Sequence, residues 1–201
     1  MKKIDIDSRY FPEEELNHNQ EPYVVLTKML HEFFNFESLF DAGCRDGKLI
    51  EELKKFNPNT KLKGCDYFQW ALDAADDSVK DSIYQFDLRD QINEEKHDLV
   101  TCFEVAEHID VDYCDIFLEN LRSVTGKYMV ITWSDSGGEN QREFDTHLQH
   151  LNPLQRHQVI EKVQKYFNYE ETLTNEFLQR SLYEPHFLWY WRKSLTVWSP
   201  K

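Results

Sequence analysis

The sequence lacks several features that would place it in well-known classes. It contains no apolar run of 18 residues, so no transmembrane helix is expected. The N-terminal stretch MKKIDIDSRYFPEEEL has no apolar segment of signal-peptide length, which argues against secretion. The four cysteines form no C-x-x-C pair and no zinc-type spacing. Together these absences predict a cytoplasmic protein with reduced thiols.

Basic residues are also scarce. The chain has 23 Lys and Arg against 37 Asp and Glu, a formal net charge of −14. A protein that binds a phosphate backbone usually relies on a basic stripe, and this sequence has none. The charge therefore disfavours nucleic acid as a partner and favours a carbohydrate or small-molecule acceptor. The sequence does not predict the oligomeric state.

Hydrophobic periodicity predicts alternating strands and helices in one domain of residues 1–201. Short apolar runs predict strands at 38–40, 61–65, 82–86, 98–103 and 127–133, and an aromatic strand within 187–200. Amphipathic spacing predicts helices at 23–34, 48–56, 67–75, 111–123 and 153–166. We treat residues 1–22 as an N-terminal arm and 134–152 as a loop on the acceptor side.

This alternation predicts an α/β fold. Strands joined by helices form βαβ units, which build a doubly wound, Rossmann-like and mainly parallel sheet with helices on both faces. The late aromatic strand suits an antiparallel addition to that sheet.

The stretch LFDAGCRDG, residues 39–47, places two of only six glycines directly after the first strand. Glycine there lets the backbone approach a ligand closely, and ligands of such sheets bind beyond the carboxyl ends of the strands. Asp66 follows Gly43 by 23 residues and ends the second strand, where a carboxylate can accept hydrogen bonds from a ribose diol. Asp87 closes the third strand.

The acidic residues beside these glycines argue against a pyrophosphate dinucleotide as the ligand. Asp41 precedes the glycines and Asp46 lies between them, so a phosphate would be repelled. A ligand that carries an amine and a sulfonium suits these charges. S-adenosylmethionine is the cofactor that fits best.

Four segments in order resemble class I S-adenosylmethionine-dependent methyltransferases over residues 23–199. They are FDAGCRDG, KGCDYFQWAL, YQFDL and HDLVTCFEVAEHI. The resemblance implies a seven-stranded sheet that ends in an antiparallel hairpin strand. It also implies a set of cofactor-binding residues: Asp41, Gly43, Cys44, Arg45, Gly47, Asp66, Tyr67, Asp87, Leu88 and Phe103.

Arg45 departs from the family pattern, which has glycine at this position. Three interpretations remain open. Arg45 points to solvent or pairs with Asp46, or it contacts the carboxylate of the cofactor, or the cofactor site has been lost.

The segment CFEVAEHID brings Glu104, Glu107 and His108 together just after the fourth strand. One interpretation gives Glu107 and His108 a structural role at a helix start. In another, His108 is the general base that deprotonates the acceptor. In a third, the three side chains hold a divalent cation such as magnesium or manganese, and a later histidine or waters complete the shell.

The polar stretch SDSGGENQREFDTHLQHLNP is long for a loop and carries His147 and His150, both candidates for catalysis. Its layout resembles the family branch that O-methylates glycan sugars. The expected function is therefore O-methylation of a sugar hydroxyl with a histidine base. An RNA 2′-O-methyltransferase, a methyltransferase for small phenols or quinones, and a non-catalytic family member are the alternatives. Two roles are open for three tryptophans, either packing in the core or stacking on a sugar ring: Trp133, Trp189 and Trp191.

Overall fold

The computed structural model describes residues 3, 20–135, 150–187 and 189–201, and of residues 189 and 190 it describes the backbone alone. The chain forms seven strands: β1 Ser38–Ala42, β2 Lys61–Asp66, β3 Ile83–Gln85, β4 His97–Cys102, β5 Thr125–Ile131, β6 Phe167–Tyr169 and β7 Thr196–Pro200. The α-helices are α1 Glu21–Phe33, α2 Lys48–Phe56, α3 Gln69–Asp73, α4 Cys114–Val124, α5 Arg156–Val163, α6 Glu171–Ser181 and α7 Trp189–Ser194. Short 3₁₀ turns span Lys80–Ser82, Ala106–His108 and Val111–Tyr113.

The strands form one sheet in the order β3-β2-β1-β4-β5-β7-β6. The pairs among β1 to β5 are parallel, and β7 runs antiparallel to both β5 and β6. This confirms the predicted seven-stranded, mainly parallel sheet with an antiparallel C-terminal strand. Strand order reverses between β1 and β4, and the carboxyl ends of these strands frame a crevice where such sheets bind ligands.

Side chains of successive strand residues point to opposite faces, and each face has its own core. Leu39 of β1 packs with the apolar sides of α1, α2 and α6, whereas the next residue, Phe40, packs with α4 and α5. Both residues are fully buried. Because both faces are covered, the parallel strands read as continuous apolar runs in the sequence. No helix in the described ranges is long and apolar enough to cross a membrane.

The C-terminal aromatic stretch contains the predicted antiparallel strand, but only in its last residues. Residues 189–194 are helical, and only Thr196–Pro200 forms a strand. Helix α7 buries Trp191, and Phe187 before the helix and Leu195 after it are buried in the same core. Strand β6 and helix α6 were not predicted at all, because α6 buries the polar residues Thr174 and Ser181 beside Phe177.

Candidate active site

A cavity of about 300 Å³ lies at the carboxyl ends of β1, β2 and β4. Nine of the ten residues that the family resemblance assigned to the cofactor line it: Asp41, Gly43, Cys44, Arg45, Asp66, Tyr67, Asp87, Leu88 and Phe103. The tenth, Gly47, is not part of the lining. It adopts a left-handed conformation with φ 71° at the start of α2, so it shapes the loop rather than the cavity wall.

The loop between β1 and α2 is held to the end of β2 by backbone hydrogen bonds. The N–H groups of Gly43 and Cys44 donate to the carbonyl of Cys65 at 2.8 and 2.9 Å. Gly43 has φ 87°, and a Cβ at this position would lie 2.2 Å from Cγ2 of Val105. Only glycine therefore fits where this loop meets the segment after β4.

Asp66 fixes the shape of the same loop. Its carboxylate accepts a hydrogen bond from the N–H of Arg45 at 2.8 Å and one from the N–H of Phe68 at 2.9 Å. The first bond holds Arg45 at φ 52°, a backbone conformation that non-glycine residues seldom adopt. Burial raises the pKa of Asp66, while these two backbone donors lower it. Each carboxylate oxygen has more than one lone pair, so Asp66 retains acceptor capacity toward a ribose diol.

Asp41 lies at the end of β1 and is 5% exposed. Its carboxylate accepts a hydrogen bond from the hydroxyl of Thr101 at 2.7 Å. Burial raises the pKa of Asp41 to about 7, and the charge of Asp66 adds to the increase. A cationic ligand in the cavity would favour the ionised form.

We expect Asp41 to make stability depend on pH. Its folded pKa lies above its ordinary value of 3.8, so its contribution is present in acid and is lost as the pH rises from about 4 to 7. Relative to Asp41→Asn, the free energy of unfolding of the wild type should fall by roughly 3–5 kcal/mol between pH 4 and pH 8. Urea denaturation of both proteins at each pH measures the difference. An equal pH dependence in the two proteins would contradict this assignment.

Asp87 follows the third strand, and its own surroundings compensate its charge. The guanidinium of Arg89 donates to Asp87 through Nε at 2.9 Å and Nη2 at 3.1 Å. Burial raises the pKa of Asp87, but the hydrogen bonds from Arg89 and Lys3 hold it below its usual value. The Arg89 guanidinium also lies over the Tyr67 ring, 5.5 Å from its centroid. This end of the cavity therefore suits a flat neutral group better than a cation.

Helices α1 and α7 close the opposite side of the cavity with aromatic side chains. Tyr23 of α1 and Phe103 both pack against Trp191 of α7, with ring centroids 6.3 and 4.9 Å away. Burial, followed by the charge of Asp46, raises the pKa of Tyr23 to about 12, so its hydroxyl remains a donor at neutral pH. Sequence reasoning missed Tyr23, because α1 precedes the first strand and only the fold brings it to the strand ends.

Glu104 follows β4 in a strained conformation, with φ 55°. The hydroxyl of Thr132, just after β5, stabilises it from two sides. It accepts a hydrogen bond from the N–H of Glu104 and donates one to the Glu104 carboxylate, both at 2.8 Å. These bonds direct Glu104 into the cavity, where burial raises its pKa.

Glu107 lies in the 3₁₀ turn behind Glu104 and is fully buried. The backbone N–H groups of Glu107 and Ser134 and the Glu104 carboxyl lie near its carboxylate, but none of the described donors meets either oxygen at full hydrogen-bonding geometry. Burial and, after it, the charge of Glu104 raise the pKa of Glu107 well above its usual value. A buried carboxylate without donors is costly unless a proton or a cation compensates it.

His108 and His150 lie beside this carboxylate. One ligand atom each of Glu107, His108 and His150 falls within 4.8 Å of the other two, and the two imidazole rings are 4.9 Å apart. Hydrogen bonds of the neighbouring backbone explain why His150, which is distant in the sequence, lies here. The N–H of Asn152 donates to the carbonyl of Glu107 at 2.9 Å, and the indole N–H of Trp133 donates to the carbonyl of Asn152 at 2.7 Å.

The close group of ligand atoms joins His150 to Glu107 and His108. Glu104 lies outside that group, although its carboxyl contacts that of Glu107 and accepts a hydrogen bond from Thr132. His147 and most of the loop 134–152 lie outside the described residues, as does the side chain of Trp189. Trp133 is 1% exposed and belongs to the core, whereas Trp191 lines the cavity.

Comparisons with known proteins agree with this architecture. Residues 40–127 match a family model described as a methyltransferase domain. The chain superposes on the methyltransferase domain of bacterial CtHen1-C with a TM-score of 0.60 and 19% identity, covering 92% of this chain and 99% of that one. For protein PH0226 of Pyrococcus horikoshii OT3 the TM-score is 0.66 at 15% identity, with 96% and 98% covered. None of the curated proteins matches the sequence.

A structure that contains the cofactor is also similar. Human N-acetylserotonin methyltransferase in complex with SAM has a TM-score of 0.58 and 14% identity, covering 90% of this chain and 53% of that one. The sheet order, the glycine loop and the family match define a Rossmann-like methyltransferase fold. The chain thus has the fold of class I S-adenosylmethionine-dependent methyltransferases, and its residues 40–127 match a methyltransferase domain.

Proposed function

We propose that this methyltransferase modifies a sugar hydroxyl, with a divalent cation held by Glu107, His108 and His150 at the edge of the cofactor cavity. The observation that carries the proposal is the Glu107 carboxylate. It is fully buried, receives no hydrogen bond of full geometry from the described residues, and lies beside two imidazoles. His108 also lines the cavity and so connects this group to the place where a methyl group would be transferred.

The donor set fits a cation. One carboxylate and two imidazoles suit a first-row transition ion, and the carboxylate of Glu104 next to the group adds an oxygen donor of the kind that favours manganese among these ions. A cation bound there would supply positive charge that favours loss of a hydroxyl proton. The protein itself would hold the four side chains in place through Thr132 and Asn152, so that little reorganisation is needed when the ion binds.

The cavity residues have separate tasks toward the cofactor. S-adenosylmethionine would supply an activated methyl group that an acceptor oxygen takes by in-line displacement. Asp66 would accept hydrogen bonds from the ribose, and Gly43 would let the backbone approach. Tyr23, Phe103 and Trp191 exclude water from one side of the cavity. Such orientation can contribute roughly 7–11 kcal/mol to lowering the barrier.

The chemistry of the site favours an aliphatic hydroxyl over a phenol. A phenol ionises near pH 10, whereas a sugar hydroxyl loses its proton far less readily and gains more from a base or a cation. The net charge of −14 favours a neutral glycan. The ribose hydroxyl at an RNA end is the second candidate, because the E-x-x-E-H segment with a downstream histidine also occurs in an end-methylating RNA family.

The test is methyl transfer from labelled S-adenosylmethionine to a panel of glycans, short RNAs and small phenols, with added manganese or with excess EDTA. We expect transfer to a glycan that EDTA abolishes and manganese restores. Transfer to an RNA end under the same conditions would support the second candidate. Full activity in excess EDTA would reject the cation, and transfer to phenols alone would reject the sugar acceptor. If S-adenosylhomocysteine did not bind in calorimetry, the chain would be a non-catalytic member.

Arg45 provides a prediction about the cofactor itself. Its side chain lines the cavity beside Tyr23 and Asp46, and we expect it to contact the cofactor's carboxylate. Arg45→Gly should weaken S-adenosylhomocysteine binding about 10- to 100-fold, since hydrogen bonds to charged groups contribute about 1.5–3 kcal/mol. Methylthioadenosine lacks the amino-acid part, so its affinity should not change. Calorimetry with both ligands measures the effect, and Arg45→Lys is the matched variant that keeps the charge. Equal losses for both ligands would mean that Arg45 only shapes the loop.

A further inference from the structure

A second group of potential metal ligands lies near the amino end of strand β4, at the opposite end of the sheet from the cofactor cavity. His97 begins β4, whereas the cofactor cavity lies beyond the far end of the same strand, which is Cys102. Five strand steps separate them, roughly 17 Å along the strand. Glu94, Glu95 and His97 each offer one ligand atom, and these three atoms lie within 4.8 Å of one another.

His97 is the residue of this group that indicates a metal site. The side chain is fully buried, packs against Phe40 with ring centroids 5.6 Å apart, and has a pKa that burial lowers. Neither ring nitrogen has a hydrogen-bond partner among the described residues. A buried imidazole normally finds at least one partner. A neutral imidazole with a free nitrogen that faces two carboxylates is a common metal ligand.

The two carboxylates close the group on the solvent side. Glu94 is half-buried and Glu95 is exposed, so an ion could enter without opening the core. The two side chains are already close, because Glu94 accepts a hydrogen bond from the N–H of Glu95 at 3.0 Å. Small side-chain rotations would bring all three atoms to the ~2.0–2.2 Å that zinc requires from nitrogen and carboxylate oxygen.

We propose that Glu94, Glu95 and His97 form a second metal site, selective for zinc or a similar first-row transition ion, which holds the segment between β3 and β4. Imidazole favours zinc, cobalt and nickel over magnesium. The other end of this segment carries Asp87 and Leu88 at the cofactor cavity. Its middle is held by Asn120, which accepts a hydrogen bond from the N–H of Ile92 at 3.0 Å. An ion at Glu94 and Glu95 would anchor the remaining end.

Lys61 provides a further test of the proposed site. Its ammonium forms a salt bridge with Glu95, so it competes with an ion for that carboxylate. Lys61→Met should therefore increase zinc affinity several-fold, since the carboxylate becomes free to bind the ion. A site that is formed only by general surface charge would show a much weaker, nonspecific effect.

The experiment uses zinc, cobalt and magnesium chloride with the full chain carrying His108→Ala and His150→Ala, which removes the candidate catalytic group. We expect calorimetry to show one bound ion per chain and zinc to raise the melting temperature by at least about 3 °C. Adding Glu94→Gln and Glu95→Gln should weaken binding at least about 100-fold, because loss of outer-sphere partners alone costs 10–100-fold. These surface substitutions leave the core intact. His97→Phe, which preserves an aromatic contact with Phe40, should abolish binding.

The outcomes separate this site from the catalytic proposal. No bound ion in the His108→Ala and His150→Ala background would overturn the second site and leave the catalytic group untouched. Zinc binding that survives the two glutamine substitutions or His97→Phe would also overturn it. Equal affinity for magnesium and zinc would exclude an imidazole ligand.

Discussion

Alanine in place of His108 or His150 should lower the rate of methyl transfer by about 10²–10⁴-fold, the usual range for loss of an acid–base or proton-removing group. Each substitution removes one imidazole from the group around Glu107. The double variant should be no slower than the slower single variant, since residues that act as a unit are not additive. S-adenosylhomocysteine affinity should change little, because Asp66 and the glycine loop remain. Turnover with the acceptor from the panel and calorimetry measure the two quantities.

His157→Ala is the matched control, since His157 is exposed on α5. The same variants distinguish a ligand from a general base. If His108 and His150 hold an ion, excess manganese should recover part of the lost rate. If His108 is the base, added imidazole should recover it and manganese should not. Unchanged turnover in both single variants would refute both roles.

The fold could be predicted from the sequence because local hydrophobic patterns determine most of its strands and helices. Apolar runs such as LVTC mark strands that are buried on both faces, and Leu26, Met29 and Leu30 mark the inner side of α1. The C-terminal region was harder for a physical reason. Phe187 and Trp191 have high β-propensity, but Trp191 lies in α7 and packs against Phe187, so tertiary contact decided the outcome.

The candidate site was only partly predictable. Residues at the carboxyl ends of neighbouring strands, such as Asp41 and Asp66, are brought together by any parallel sheet. Tyr23 and Trp191 line the cavity from helices near the two ends of the described chain. No local sequence pattern predicts that these helices lie beside the strand ends. The pairing of Asp87 with Arg89 could have been suspected from their two-residue spacing, but its effect on the ligand required the geometry.

Gly43→Ala should cause the largest loss of both stability and cofactor affinity among single substitutions in the loop. The new Cβ would lie 2.2 Å from Cγ2 of Val105, and the residue would have to keep φ 87°. Positive φ costs about 1–2 kcal/mol, and overpacking costs about 1–3 kcal/mol. The free energy of unfolding should therefore fall by about 2–5 kcal/mol, which lowers the melting temperature by roughly 5–15 °C.

Val105→Ala in the Gly43→Ala background separates these two costs, because it removes the methyl group that the new Cβ meets. The double variant should regain the packing part of the stability and retain the conformational part. Both residues line the cavity, so S-adenosylhomocysteine affinity should recover only if the clash, rather than the backbone strain, displaces the loop. Thermal denaturation and calorimetry of Gly43→Ala, Val105→Ala and the double variant measure this. Wild-type stability and affinity in Gly43→Ala would show that the loop does not need glycine, and the close approach of backbone to ligand would lose its basis.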